Sequence, residues 1–221
     1  MFNKIIDALK NIRSHRAAFD PSRFNDPVAM ITEWTPLKRG GSNFKTHKLV
    51  EINFQRVEFK PTIFTIFFSL IFFIAGIGIA MSFGINNLKQ GPTFIRFEYL
   101  FPLLFGLVFA SIGVFLFMFF SKPIVFDKTF GYFWKGRKEP AQIYDQGRKK
   151  KSVLLSEIHA LQIISEYVST SKNSYRSYEL NLVLSDGSRV NVIDHGKLES
   201  IRDDAQKLSA FLGVTIWDRL A

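Results

Sequence analysis

The 221-residue sequence contains no cysteine. This absence excludes disulfide bonds, thiol nucleophiles and zinc sites built on cysteine ligands. Charged residues are also missing from two long stretches, 63–83 and 99–120, although they make up 22% of the chain. What is abundant instead is phenylalanine, with 25 residues, and roughly half of these lie in the two uncharged stretches. An ordinary soluble domain does not have this composition.

The two uncharged stretches have the length of membrane-spanning helices. At a rise of about 1.5 Å per residue, each would be about 30 Å long, which matches the hydrocarbon core of a bilayer. A buried helix of a soluble protein would carry some polar residues on one side, and a signal peptide would lie at the N-terminus. We therefore predict transmembrane helices over 63–83 and 99–120, joined by a short external loop over 84–98.

Lysine and arginine are unevenly distributed around the two stretches. Eleven precede the first stretch, sixteen follow the second, and two lie between them. The positive-inside rule then predicts a multi-pass membrane protein with both termini in the cytoplasm. The net charge of +10 is better explained by this topology and by anionic lipid than by nucleic-acid binding.

The first 62 residues are expected to form a cytoplasmic N-terminal region. Apolar residues in 2–17 recur at helical spacing opposite basic ones. This pattern predicts an amphipathic helix that lies either on the membrane or on the protein's own cytoplasmic domain. Residues 21–41 contain three prolines and a glycine pair, and we expect a linker or surface loop there.

Alternating apolar residues predict β-strands on both sides of the spans. Before the first span, residues 48–59 suggest a β-hairpin with Val50, Ile52 and Phe54 on one face. After the second span, residues 123–135 predict a hairpin around Lys128 and Thr129. Three aromatic residues would share one of its faces: Phe130, Tyr132 and Trp134.

The remaining part of the chain predicts more strands and one helix. Residues 153–168 are long enough for one bent strand or two, and 169–177 are expected to form a serine-rich loop. An apolar stripe over 198–212, followed by Gly213, predicts an amphipathic helix that ends at the glycine.

The segment 178–194 predicts a hairpin with a defined register. If residues 185–187 form a three-residue loop with Gly187 in the left-handed conformation, Leu182 faces Val190 and Leu180 faces Val192. A two-residue turn would instead place Leu182 opposite Asn191. The apolar pattern therefore favours the three-residue loop.

The order of elements after residue 123 resembles a known bacterial domain. The likeness is carried by the run of short strands closed by one helix, and by the phrases VLLSEIHALQII and YELNLVLSDGSRVNVIDHG. They are similar to the pleckstrin-homology-like (PH-like) domain that follows two membrane spans in many small prokaryotic membrane proteins. The resemblance implies a small, bent antiparallel sheet over 121–221 with a C-terminal helix that plugs one open end. The expected fold class is thus a membrane α-helical hairpin plus an α+β domain, and the resemblance implies a location in the bacterial cytoplasmic (inner) membrane.

Two groups of residues are candidates for function. Basic residues that could contact anionic lipid are Lys4, Lys10, Arg13, Arg148, Lys149, Lys150 and Lys151. Small residues whose spacing favours helix packing, within the hairpin or between protomers, are Gly76, Gly78, Ala80, Gly106, Ala110 and Gly113.

The pair Asp194 and His195 is the candidate for catalysis. Neighbours on a strand point to opposite faces, so we expect a structural role instead, with Asp194 capping the next helix and Gly196 relieving the turn. The other histidines show no metal-ligand spacing. No catalytic residue, cofactor or metal is therefore expected.

PH-like domains look like scaffolding or docking modules. We accordingly expect a non-enzymatic integral membrane scaffold that presents its cytoplasmic domain to a protein partner or to an anionic lipid surface. The alternative is an accessory subunit of a transporter or envelope-assembly complex. The expected partners are the lipid bilayer and another membrane protein or a second copy of the chain, without nucleic acid.

Overall fold

A computed structural model describes residues 19–38, 40–89, 97–140, 152–169 and 174–221. The amphipathic helix predicted over 2–17 lies outside the described residues. The helices are α1 (Pro27–Ile31), α2 (Ile63–Lys89), α3 (Phe97–Phe120) and α4 (Leu198–Leu212). The strands are β1 (His47–Asn53), β2 (Arg56–Pro61), β3 (Ile124–Asp127), β4 (Tyr132–Lys135), β5 (Ser152–Leu154), β6 (Ile158–Ser169), β7 (Ser174–Leu184), β8 (Arg189–His195) and β9 (Thr215–Asp218).

Helices α2 and α3 are long and apolar enough to cross a membrane, over residues 63–86 and 100–120. They pack against each other as an antiparallel hairpin. Helix α2 continues to Lys89, so the first residues of the predicted external loop are helical. The helix therefore extends beyond the uncharged stretch from which it was predicted.

Glycines set the close approach of α2 and α3. A Cβ atom at Gly76 would overlap the main-chain nitrogen of Ala110, and one at Gly106 would lie 2.6 Å from the nitrogen of Ala80. At Gly113 it would lie 2.5 Å from the nitrogen of Phe73. Gly78 takes no part in this contact, because a Cβ there would meet no atom within 4 Å. Two residues beyond Gly76, it lies on nearly the opposite side of the helix.

Five antiparallel strands form the first sheet, in the order β1-β2-β3-β4-β5. The predicted hairpin of β1 and β2 is present, but its apolar face is not the predicted one. Leu49 lies opposite Phe59, and both are buried. Phe54 is 84% exposed in the turn. A bulge between Glu51 and Asn53 shifts the pairing by one residue, so Leu49, rather than Val50, lies opposite Phe59.

Strands β3 and β4 form the second predicted hairpin, with a longer turn than expected. Asp127 lies opposite Tyr132, so residues 128–131 make the turn. Phe130 lies in this turn and is 47% exposed. The Asp127 side chain holds the turn, because its Oδ1 accepts hydrogen bonds from the main-chain nitrogens of Thr129 and Phe130 at 2.8 and 3.1 Å.

The second sheet has the order β8-β7-β6-β9, with β9 parallel to β6. The stretch 153–168 forms two strands, separated by a 3-10 turn over Leu155–Glu157. The described residues of the expected loop 169–177, Ser169 and 174–177, are strand, since Ser169 pairs with Ser174 where β7 begins. Pairing with β6 thus prevails over the loop-forming tendency of these serines.

The hairpin of β7 and β8 confirms part of the predicted register. Leu182 faces Val190, and Gly187 has a φ of 78°. Leu180, however, faces Ile193 rather than Val192, because a bulge between Leu180 and Asn181 shifts the pairing by one residue. The bulge lets both Val192 and Ile193 be buried.

One hydrophobic core contains side chains from both sheets and from α4. Ile201, Ala205 and Leu208 of α4 are fully buried in it, and the helix ends at Gly213 with a φ of 74°, as predicted. The helix is not the last element, since β9 follows it and joins the second sheet. The outcome is an α+β body with one antiparallel and one mixed sheet.

Residues 19–38 and 40–46, which we name the strap, cover the outer face of the second sheet. Phe24 stacks on Trp34 with ring centroids 5.2 Å apart, and Trp34 packs on Trp217 of β9 at 5.8 Å. Ala29 is fully buried between them and the sheet. Of the two expectations for 21–41, a linker or a surface loop, the linker does not fit, because the aromatic residues of this segment pack against apolar partners on the sheet.

Replacing Gly76 with alanine should loosen the hairpin, because the new methyl group would meet backbone atoms that cannot rotate away. We expect a loss of roughly 1–3 kcal/mol, measured as a lower thermal unfolding midpoint in detergent. Gly78→Ala is the matched control and should be neutral or stabilising by up to about 1 kcal/mol, since alanine favours helix. Equal midpoints for the two variants would contradict the packing described here.

Candidate functional site

The helical hairpin and the first sheet are joined without flexible linkers. Strand β2 ends at Pro61 and α2 begins at Ile63, while α3 ends at Phe120 and β3 begins at Ile124. Strands β2 and β3 are hydrogen-bonded neighbours, with Phe59 opposite Ile124. The two helices therefore continue directly from two paired strands.

Hydrogen bonds between the end of the strap and the helices fix this junction. The hydroxyl groups of Thr62 and Thr65 donate to the main-chain oxygens of Lys45 and Thr46, each at 3.1 Å. The imidazole of His47 bonds the main-chain oxygen of Phe120 at 3.0 Å. That oxygen is at the C-terminal end of α3 and has no partner within the helix.

The hydrogen bonds of His47 define its protonation. The Phe120 oxygen can only accept, so Nε2 carries the proton, and Nδ1 accepts from the Thr46 hydroxyl at 2.9 Å. Burial lowers the pKa of His47 to about 4, although the hydrogen bond to the Phe120 oxygen acts in the opposite direction. His47 is thus a neutral structural histidine at physiological pH.

A buried polar cluster behind the junction connects three parts of the chain. Asp204 of α4 accepts hydrogen bonds at Oδ2 from His195 Nε2 and from Lys45 Nζ, both at 3.0 Å. His195 is fully buried and Asp204 is 4% exposed. Burial alone would raise the pKa of the Asp204 carboxyl, but the bonds from His195 and Lys45 hold it below its ordinary value. The cluster clamps the strap, β8 and α4 together.

This geometry excludes Asp194 and His195 as a catalytic pair. The ring of His195 bonds the main-chain oxygen of Asp194 at 3.1 Å, and the Asp194 carboxylate accepts from Asn191 at 2.9 Å. A fully buried imidazole is not accessible to a substrate. The predicted cap was also wrong, since Lys197 occupies the N-cap position of α4 without a side-chain bond.

Gly196 has a different role from the expected one. A Cβ atom there would overlap the main-chain oxygen of Asn43 in the strap. The glycine therefore permits close approach of the strap to the end of β8, rather than an unusual turn.

A cavity of about 410 Å³ lies at the base of the hairpin. Its walls come from the strap, the last turn of α3, the residues that follow it, β4 and β8. Lys38, Lys122 and Lys135 supply positive charge, and Phe44, Phe119 and Phe120 supply an apolar side. We take this cavity as the candidate functional site.

The cavity concentrates positive charge. Lys135 is open to the cavity, but the surrounding protein removes much of its water, and together with the charge of Lys38 this lowers its pKa to about 8. Asp194 on the cavity wall acts in the opposite direction without reaching ion-pair distance. Within the described ranges, none of the three lysines forms an ion pair.

Two glutamates on the second sheet hold the strap over the cavity. The Glu179 carboxylate is fully buried and accepts hydrogen bonds from the main-chain nitrogens of Leu37 and Lys38 at 2.9 and 2.8 Å. The Glu166 carboxylate accepts from Gly40 and Gly41 at 3.0 and 3.2 Å. Charge-assisted bonds of this kind are the stronger class in proteins. They set the position of Lys38.

Sequence reasoning missed both glutamates. A signal for Glu179 was present, since Glu179 and Asn181 share one face of an otherwise apolar strand. Polar residues on a strand face that is buried require polar partners. In this fold, the main chain of the strap supplies them for Glu179, which also accepts a hydrogen bond from the Asn181 side chain at 3.1 Å.

The predicted lipid-contact residues Lys4, Lys10, Arg13, Arg148, Lys149, Lys150 and Lys151 lie outside the described residues. Of the predicted packing residues, Gly76, Ala80, Gly106, Ala110 and Gly113 meet at the hairpin interface and Gly78 does not. In the part of the chain that the structure describes, no group of three or more possible metal ligands occurs.

Glu179→Gln should weaken the attachment of the strap, because the new amide group brings donors toward main-chain N–H groups that need an acceptor. A loss of about 1–3 kcal/mol is expected for such an unsatisfied buried group, measured by thermal unfolding. Glu51→Gln, at an exposed position of β1, is the matched control and should change little. If both variants unfold at the wild-type temperature, Glu179 does not hold the strap.

Comparison with protein-family models, with characterised proteins and with solved structures gives no match to this chain.

Proposed function

We propose that the protein is a non-enzymatic integral membrane docking protein. Its helical hairpin inserts into the bacterial inner membrane and holds the α+β body on the cytoplasmic side, with both termini in the cytoplasm. The observation that carries this proposal is the direct continuation of β2 and β3 into α2 and α3. An anchor joined in this way fixes the orientation of the body relative to the bilayer.

The exposure of the hairpin supports insertion. Of the most apolar windows of α2 and α3, only 22% and 17% is buried. Phe64, Phe67 and Phe101 are each 62% exposed. Water-exposed phenylalanine at this density is unfavourable, whereas hydrocarbon accommodates it. The distribution of lysine and arginine supports cytoplasmic termini.

The first sheet has one end beside the hairpin and one end far from it. The far end carries exposed apolar residues. Phe54 and Phe130 are 84% and 47% exposed in the two adjacent turns there. The two turns are joined by a hydrogen bond from Lys128 to Gln55. Exposed aromatic residues are common anchors at protein interfaces. This end of the body therefore supports docking of a protein partner, in addition to the proposed contact of the protein with anionic lipid.

We also propose that the body is a variant of the PH-like domain. The short strands and the amphipathic α4 that closes the core support this relationship. The parallel strand β9 and the strands β1 and β2 contributed from before the hairpin are additions to the simplest arrangement. This proposal concerns fold ancestry and adds no catalytic residue.

The alternative function, as an accessory subunit, rested on small residues that face a larger membrane protein. Most of those residues are already used within the hairpin, as the contacts of Gly76, Gly106 and Gly113 indicate. Gly78 is open and is the position that still favours such a neighbour.

Single cysteines test the topology directly, because the chain has none of its own. Leu88→Cys, at the far end of α2 and 76% exposed in the wild type, should react with a membrane-impermeant maleimide in intact cells. Phe54→Cys is the matched variant and should react only after lysis. Labelling of Phe54→Cys in intact cells would contradict the proposed orientation.

The docking activity is tested in the same membranes with a cross-linker attached at position 54. A discrete partner or a second copy of the chain should be captured, and Phe130→Ser should reduce the yield. A solitary monomer that also fails to bind vesicles containing anionic lipid would overturn the docking function.

A further inference from the structure

The cavity at the base of the hairpin lies at the height of lipid headgroups if the hairpin inserts as proposed. The apolar part of α3 covers residues 100–120 and, at about 1.5 Å per residue, has the thickness of the hydrocarbon core. Its last turn carries Phe119 and Phe120, and Lys122 follows two residues later. Both phenylalanines and this lysine line the cavity.

The charges in the cavity call for an anion. Lys38, Lys122 and Lys135 face one space, and Asp194 is the acidic residue among its lining. Lys122 lies over the ring of Phe119 at 5.3 Å, and Lys135 Nζ lies 3.4 Å from Asn191 Oδ1. Neither contact neutralises an ammonium group. A phosphate group between the lysines would do so with charge-assisted hydrogen bonds.

An aromatic track leads from the cavity into the hairpin. The ring of Phe44, in the cavity wall, contacts that of Phe64 at a centroid distance of 5.9 Å. Phe64 stacks on Phe68 at 6.4 Å, and Phe68 contacts Phe72 at 5.2 Å. Phe44, Phe64 and Phe68 are 38%, 62% and 40% exposed. The track therefore offers a continuous apolar surface that begins at the lysines.

We propose that this cavity binds one anionic phospholipid, whose phosphate lies between Lys38, Lys122 and Lys135 and whose acyl chain lies along Phe44, Phe64 and Phe68. The inference rests on the membrane insertion proposed above and deepens it by assigning the site and the class of ligand. A free phosphate has the same headgroup chemistry but gains nothing from the aromatic track. The combination of lysines and phenylalanines therefore favours the intact lipid.

The site also explains why the strap is fixed so firmly. Glu179 and Glu166 hold the main chain at Leu37, Lys38, Gly40 and Gly41. This arrangement brings Lys38 toward Lys135 in spite of their like charges. The bound lipid would offset that repulsion and tie the strap, α3 and β4 to one headgroup.

Native mass spectrometry of the full-length protein in an uncharged detergent tests the proposal. The probes are phosphatidylglycerol, which is anionic, phosphatidylcholine, which is zwitterionic, and glycerol 3-phosphate, which is soluble. We expect one saturable phosphatidylglycerol molecule per chain, with an affinity about tenfold or more above that of phosphatidylcholine. Glycerol 3-phosphate should not displace it at the same concentration.

The variant with Lys38→Gln, Lys122→Gln and Lys135→Gln should lose this preference. Its matched control carries Lys48→Gln, Lys197→Gln and Lys207→Gln, three exposed positions that lose the same charge outside the cavity. Equal losses in both variants would overturn the proposal in favour of surface charge alone. Displacement of the lipid by glycerol 3-phosphate would overturn it in favour of a soluble phosphate ligand.

The comparison of the two lipids uses the unaltered protein, so it decides the question even if the cavity variant does not fold. Equal binding of both lipids overturns the site. The labelling of Leu88→Cys and Phe54→Cys keeps every lysine and reports on insertion alone. If both cysteines are labelled as expected but phosphatidylglycerol is not preferred, the lipid site is wrong and the membrane insertion stands. If the labelling itself differs from the expectation, the membrane insertion is wrong.

Discussion

The pairing of β2 with β3 is the constraint on which the rest of the structure depends. Strand β2 leads into α2 through Thr62, and α3 leads into β3 through residues 121–123. Because the two strands are held together by a hydrogen-bonded ladder, the first turn of α2 and the last turn of α3 must lie side by side. Close packing at Gly76, Gly106 and Gly113 then extends this contact along the hairpin. The orientation of the body thus follows from main-chain geometry rather than from a flexible tether.

The strap adds a second set of constraints at the same place. Its aromatic residues pack on Trp217 of the second sheet, and its main chain donates hydrogen bonds to the carboxylates of Glu179 and Glu166. Near its end, the ammonium group of Lys45 reaches the buried Asp204. These contacts bring residues from both sides of the hairpin into one body. The same contacts also form the lysine-rich cavity at the junction, beside the end of α3.

Much of this arrangement could be predicted from local patterns, and the failures have common causes. Uncharged length indicated α2 and α3, periodicity indicated α4 and its end at Gly213, and the apolar register indicated the three-residue loop that pairs Leu182 with Val190. Local patterns do not show which distant segment covers a strand face, so Glu179 was missed and the packing of the strap on the second sheet was not predicted. They do not show a bulge either, and the bulge in β1 places Leu49, rather than Val50, opposite Phe59. The cavity was equally hidden, since Lys38, Lys122 and Lys135 are far apart in the chain and converge through tertiary structure.

If the hairpin and the body move as one unit, the distance between their far ends is fixed. Spin labels at Phe54→Cys and Leu88→Cys measure this distance by pulsed electron–electron double resonance in lipid nanodiscs. We expect a single narrow distance distribution that is unchanged when the bilayer composition changes. A broad distribution, or several separate distances, would show a hinge between strands and helices and would contradict this expectation.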